Sequence, residues 1–145
     1  MNRDFVEMLS ALNDHEVEYV VVGAHALAAH GHVRATNDLD IWIRATSGNA
    51  QRAHSALGAF GAPMTQVSVD DLATPGTVFQ IAVNPVRIDI LTAIDGVSFD
   101  EAWSARVSTK VGGVAASVLS REPLIHGPAR AAEPRVAGFH RPKCT

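Results

Sequence analysis

At 145 residues the chain is sized for one domain, and a domain of this length buries roughly 68–70% of its unfolded surface, so it needs no disulfide or structural metal to hold together. A 47% hydrophobic, 19% charged composition excludes a disordered chain; the single cysteine, Cys144, excludes a disulfide set or thiolate zinc site and fits a reducing cytoplasm. The net charge of −3 is uneven: residues 126–145 hold four Lys/Arg against one acid, leaving eight against fourteen elsewhere, an acidic body that argues against a broad DNA-binding surface.

No apolar run is long enough to span a membrane, and the opening MNRDFVEMLSALND scatters charges through an amphipathic pattern, unlike a secretory leader. A cytoplasmic protein without membrane attachment is expected.

Along the chain, Phe5, Met8, Leu9 and Leu12 recur at helical spacing and predict a helix over 2–14. VEYVVVG, ending at Gly23, reads as a buried strand. The alanine-rich AHALAAHG predicts a helix closed by Gly31. DLDIWI (38–43) is a second strand, and Ser47–Phe60 a helix with Ala53, Ala56, Leu57 and Phe60 on one face. A short acidic element follows around Asp70–Leu72. TVFQIAV (77–83) and VRIDIL (86–91) form strands joined by a hairpin at Asn84–Pro85. SFDEAW (98–103) carries a cap signal and predicts a short helix, and RVSTKV and VAASVL flank Gly112–Gly113 as a last hairpin. The order implies an α/β or α+β domain, a mixed sheet with helices packed mainly on one face. That domain is expected over 1–125; residues 126–145, with three prolines, two glycines and no sustained period, are expected to be an irregular or disordered tail.

Strand alternation puts Asp38, Asp40 and Trp42 on one face and Leu39, Ile41 and Ile43 on the other. In VRIDIL it likewise separates Arg87, Asp89 and Leu91 from Ile88 and Ile90. If the two strands are neighbours, three carboxylates converge. Aspartate is depleted in strands, and two charges about 4 Å apart repel by roughly 4 kcal/mol at an effective dielectric near 20. Divalent cations with oxygen ligands would remove that repulsion and bring phosphoryl chemistry with them. The plainer possibility is a structural ion network, with Arg34 and Arg87 pairing with the aspartates, or acids that serve as turn and cap residues. Ahead of the acids, Gly23 ends a strand and opens a helix, a place whose backbone N–H groups favour phosphate.

Taken together, Val22-Gly23-Ala24, a helix, Asp38-Leu39-Asp40 and Asp89 in RIDIL resemble the polymerase-β-like nucleotidyltransferase superfamily. The run EYVVVGAHALAAHGHVRATNDLDIWI is most similar to its small bacterial members found in toxin–antitoxin and abortive-infection modules. The resemblance spans about residues 3–119 and implies a nucleotidyltransferase-like fold. It implies an enzyme that moves a nucleoside monophosphate from an NTP such as ATP to a hydroxyl on a protein, a tRNA or a small molecule. Asp38, Asp40 and Asp89 would be the catalytic metal ligands for Mg²⁺ or Mn²⁺, with Asp89 also assisting deprotonation of the acceptor. Gly23, Ala24, Arg34 and Thr36 would lie against the nucleotide's phosphates. His30 and His32 read as helix-end and loop residues, and Trp42 as packing rather than a base stack. Ala24 departs from the Ser or Gly that many members carry, and the tail departs from their usual basic helix. The alternative class is a catalytically degenerate, antitoxin-like binding module that sequesters a partner protein.

Overall fold

The computed structural model describes residues 3–23, 38–83, 86–119 and 135–136. The helix expected over AHALAAHG, the hairpin residues Asn84–Pro85 and most of 126–145 lie outside them.

The first helix, α1 (Arg3–Asp14), buries Phe5, Met8, Leu9 and Leu12, the residues its 3.6-residue periodicity picks out. Strand β1 (Tyr19–Val22) follows, then β2 (Asp38–Ile43) and α2 (Ser47–Phe60). Helix α2 turns a face of Ala50, Ala53, Ala56, Leu57 and Phe60 inward; the small alanines let α1 and α2 approach closely. It stops at Gly61, whose φ of 103° lets its N–H reach the Leu57 carbonyl at 3.1 Å, while the Ala62 N–H bonds the same carbonyl at 3.0 Å. A single turn, α3 (Val69–Leu72), starts with a capping box between Ser68 and Asp71. Strands β3 (Val78–Val83) and β4 (Val86–Leu91), helix α4 (Phe99–Ser104), and strands β5 (Val107–Val111) and β6 (Val114–Val118) complete the domain. Two further residues, Arg135–Val136, form β7.

The strands make one mixed sheet in the order β5-β6-β1-β2-β4-β3-β7. Strand β2 is antiparallel to β1 and parallel to β4; β3 is antiparallel to β4, and β7 runs parallel to β3 along the edge. One face of this sheet forms the main core. Tyr19, Val21, Leu39, Ile41, Ile43, Ile81, Ile88 and Ile90 pack there against α1, α2 and α3. The other face carries a smaller cluster in which Val20, Trp42, Val78 and Leu91 meet Ile94 and Ala102 of the α4 region. This is the α+β arrangement anticipated from the order of elements; among the described residues, three helices lie on one face and the short α4 on the other.

A buried side chain secures the end of the β1–β2 ladder. Asn49 is 1% exposed, yet its Oδ1 accepts from the Glu18 N–H at 2.7 Å and its Nδ2 donates to the Glu18 and Arg44 carbonyls at 3.0 and 2.9 Å. Every strong polar atom of this side chain is thereby used, as burial demands.

Candidate active site

The second face of the sheet changes character row by row. Register pairs Val20 with Trp42 and Trp42 with Leu91, and this apolar row lies beneath α4. One step along, Val22 pairs with Asp40, Asp40 with Asp89 and Asp89 with Gln80. One step further, Asp38 pairs with Arg87. Because paired residues of adjacent strands point to the same side, Asp38, Asp40, Arg87 and Asp89 form a two-by-two block beside an apolar row. The three aspartates named from the sequence thus occupy one face of two neighbouring strands, about 5 Å apart across the pair and about 7 Å along β2.

Their surroundings differ. Asp38 is half-exposed at the open end, whereas Asp89 has no exposed surface. A buried carboxylate needs a compensating charge or donors, and Arg87 is beside it: its Nε lies 3.2 Å from Asp89 Oδ1 and its Nη2 3.4 Å from Asp38 Oδ2. The guanidinium therefore stands between two of the three carboxylates. Among the described residues, no three His, Cys, Asp or Glu side chains are drawn together as a ready-made metal cage.

Asp40 faces the chain in a different way. Gly23 directly follows β1 with φ +72°, and a Cβ built on it would come within 2.6 Å of Asp40 Oδ2. Only glycine suits both the dihedral and the space. The absent side chain leaves the backbone of the β1 terminus against the carboxylate. Ala24, Arg34 and Thr36, the other residues named for phosphate contact, lie outside the described residues, as do His30 and His32.

The donors fit a hard divalent cation in their chemistry. They are carboxylate oxygens on adjacent strands, and a cationic side chain already stands among them. Among the described residues, three carboxylates against one guanidinium leave two formal negative charges, which one such ion would balance.

Trp42 is 1% exposed and meets Phe99 edge-on, with centroids 5.2 Å apart, so it packs beneath α4. Beyond it an open cavity of about 310 Å³ is lined by Trp42, Arg44, Thr92, Ile94 and Phe99 among others; none of the three aspartates lines it. Arg44 closes this end of the sheet by pairing with both Glu18 and Asp100 and lying 4.7 Å over the Phe99 ring. Sequence reasoning did not single out Arg44 or Asn49, whose partners lie in separate elements.

A family model described as nucleotidyl transferase of unknown function (DUF2204) matches residues 1–138. Among solved structures, the chain is similar to a crystal structure from Thermotoga maritima of a protein given the provisional name nucleotidyltransferase. The TM-score is 0.58 at 15% sequence identity, over 86% of this chain and 80% of that one, a likeness of fold. No curated protein matches the chain.

Proposed function

The chain belongs to that nucleotidyl transferase family, and on this premise we propose that it transfers a nucleoside monophosphate from an NTP to a hydroxyl of a protein, a tRNA or a small molecule, using Mg²⁺ or Mn²⁺ held by Asp38, Asp40 and Asp89. The observation that carries the proposal is the direct register of Asp40 with Asp89 beside a Gly23 that has no room for a side chain. Carboxylates set side by side against a strand terminus whose glycine has no room for a side chain suit a triphosphate and its cations better than they suit a core.

The reading assigns the chain's residues as follows. The backbone at Gly23 and Ala24, with Arg34 and Thr36, holds the triphosphate so that its α-phosphorus faces the acids. Asp89 takes the proton of the acceptor hydroxyl as the new O–P bond forms, the bond to the β-phosphate breaks, and pyrophosphate leaves. Divalent cations bound by the three aspartates would offset the triphosphate charge and favour the ionised acceptor, in the manner of two-metal transfer. A cytoplasmic setting within a toxin–antitoxin pair is part of the same proposal. No described helix is long and apolar enough to cross a membrane.

Transfer of labelled nucleotide by the wild type and by Asp40→Ala tests it. Loss of label and of pyrophosphate release in the variant is expected; equal transfer by both would sink the chemistry.

One observation favours a second reading. Asp89 is fully buried and ion-paired to Arg87, as in a structural network. On that reading the protein is an antitoxin-like module that sequesters a partner without turnover. A stable complex with the product of a neighbouring gene, and no transfer onto it, would select this alternative.

A further inference from the structure

We propose that Arg87 is a built-in counter-cation that occupies the cation position between Asp38 and Asp89 and must swing away before a divalent ion can bind; the inference rests on the metal-dependent reading above.

Three observations carry it. Arg87 is the register partner of Asp38 and lies two residues from Asp89 on the same strand face, so its side chain is held over both acids by backbone pairing alone. Its two contacts, 3.2 and 3.4 Å, are long for charge-assisted bonds, which close to roughly 2.7–2.9 Å, so the grip is loose. Its side chain is 42% exposed while that of Asp89 is fully covered, so the arginine has a route to solvent that the acid lacks.

Arginine suits this placeholder role. It stays charged at any working pH, so it neutralises the acids in the metal-free protein without dependence on protonation. It has no acceptor and cannot itself ligate a metal. A metal ion and the guanidinium therefore compete for the same oxygens. When the ion enters, Arg87 is released next to the site with its charge free, where an anionic phosphate is its natural new partner. Arg87 is thus a positioning residue that sets the threshold for metal entry.

The test uses the full chain without nucleotide. Mn²⁺ binding is measured by calorimetry, and thermal melts are run in chelator and in Mn²⁺, for wild type, Arg87→Met and Arg87→Lys. In chelator Arg87→Met is expected to melt below wild type, because Asp38 and Asp89 lose the guanidinium beside them. Its Mn²⁺ affinity is expected to rise about tenfold or more, the scale on which one neighbouring charge moves a carboxylate's affinity for a cation. Its melting temperature should therefore rise more on adding Mn²⁺ than the wild type's does. Arg87→Lys, with one compact charge, should fall between, and it decides the matter if the methionine variant does not fold. Equal or weaker Mn²⁺ binding by the variants would overturn the proposal, because a purely structural arginine gives that result. Metal binding under the control of Arg87 without nucleotide transfer would refute the activity and leave the competition standing. Absence of Mn²⁺ binding in every form would overturn both.

Discussion

The α-carbon of Gly23 lies so close to Asp40 that a methyl group on it would sit 2.6 Å from the carboxylate oxygen. That spacing is well inside van der Waals contact, and the φ of +72° at the same residue independently disfavours any L side chain. Sequence position, backbone conformation and the acid are therefore locked together at the end of β1.

Gly23→Ala should separate stability from activity. The left-handed backbone costs about 1–2 kcal/mol in a side-chain-bearing residue, which lowers the melting temperature by several degrees at most. Displacement of Asp40 by the methyl should lower transfer by roughly a hundredfold, as misplacements near 1 Å do. Parallel melts and rate measurements check this; a variant that keeps its rate would show that Asp40 needs no fixed position.

Asn49→Ala should be a stability variant with no direct effect on the site. It leaves the Glu18 N–H and the Glu18 and Arg44 carbonyls without their shared partner, at a cost of about 2–3 kcal/mol. Denaturant titration reads the value directly. A loss below about 0.5 kcal/mol, the range of ordinary surface substitutions, would mean that water replaces the amide.

Tyr19, the only tyrosine of the chain, gives a clean alkaline titration. Burial pushes its phenol from 10.0 up to about 12, against a smaller lowering by a backbone hydrogen bond from Ser117; the hydroxyl itself donates to Asn13 Oδ1 at 2.9 Å. The folded pKa is the higher one, so the associated stability is fully present below pH 10 and is lost as pH rises through about 12. Tyrosinate absorbance should therefore appear with unfolding rather than near pH 10, and Tyr19→Phe should flatten the alkaline decline. Ionisation at the ordinary value in the folded protein would contradict the burial.

Arg44→Met should weaken the attachment of α4 only modestly. Asp100 is largely exposed and Glu18 partly so, which limits these pairs to about 1 kcal/mol or less. The methionine stem retains contact with Phe99. Melts at low and high salt should show a small difference that shrinks as salt screens the pairs; a loss of several kcal/mol would assign Arg44 a larger part in the fold.

Much of this geometry was readable beforehand because strands alternate. The separation of Leu39, Ile41 and Ile43 from Asp38, Asp40 and Trp42 follows from period two alone, and the buried face confirms it. The Ser98 cap of α4 was likewise local and legible: its Oγ accepts the Glu101 N–H. What alternation could not supply was adjacency. Nothing within DLDIWI or VRIDIL requires them to pair in parallel with Asp40 opposite Asp89, because that register is set by how helices cover the other face. For the same reason the sequence named Arg87 as a possible partner of the acids without ranking it above Arg34. Asn49 was illegible, since a polar residue in the first turn of a helix has no local mark that distinguishes a clamp on distant strands from a solvated side chain.

The parallel pairing of β2 with β4 has a kinetic side. Asp38 and Arg87 are 49 residues apart, and α2, α3 and β3 lie in the chain between them. The β3–β4 pairing closes early, being local, but the β2–β4 pairing waits on a long loop whose entropy must be met first. A nascent or half-folded chain therefore carries all three aspartates yet no assembled site. Any ligand that needs both strands binds only once that pairing has closed, and so draws the folding equilibrium toward the finished fold by mass action.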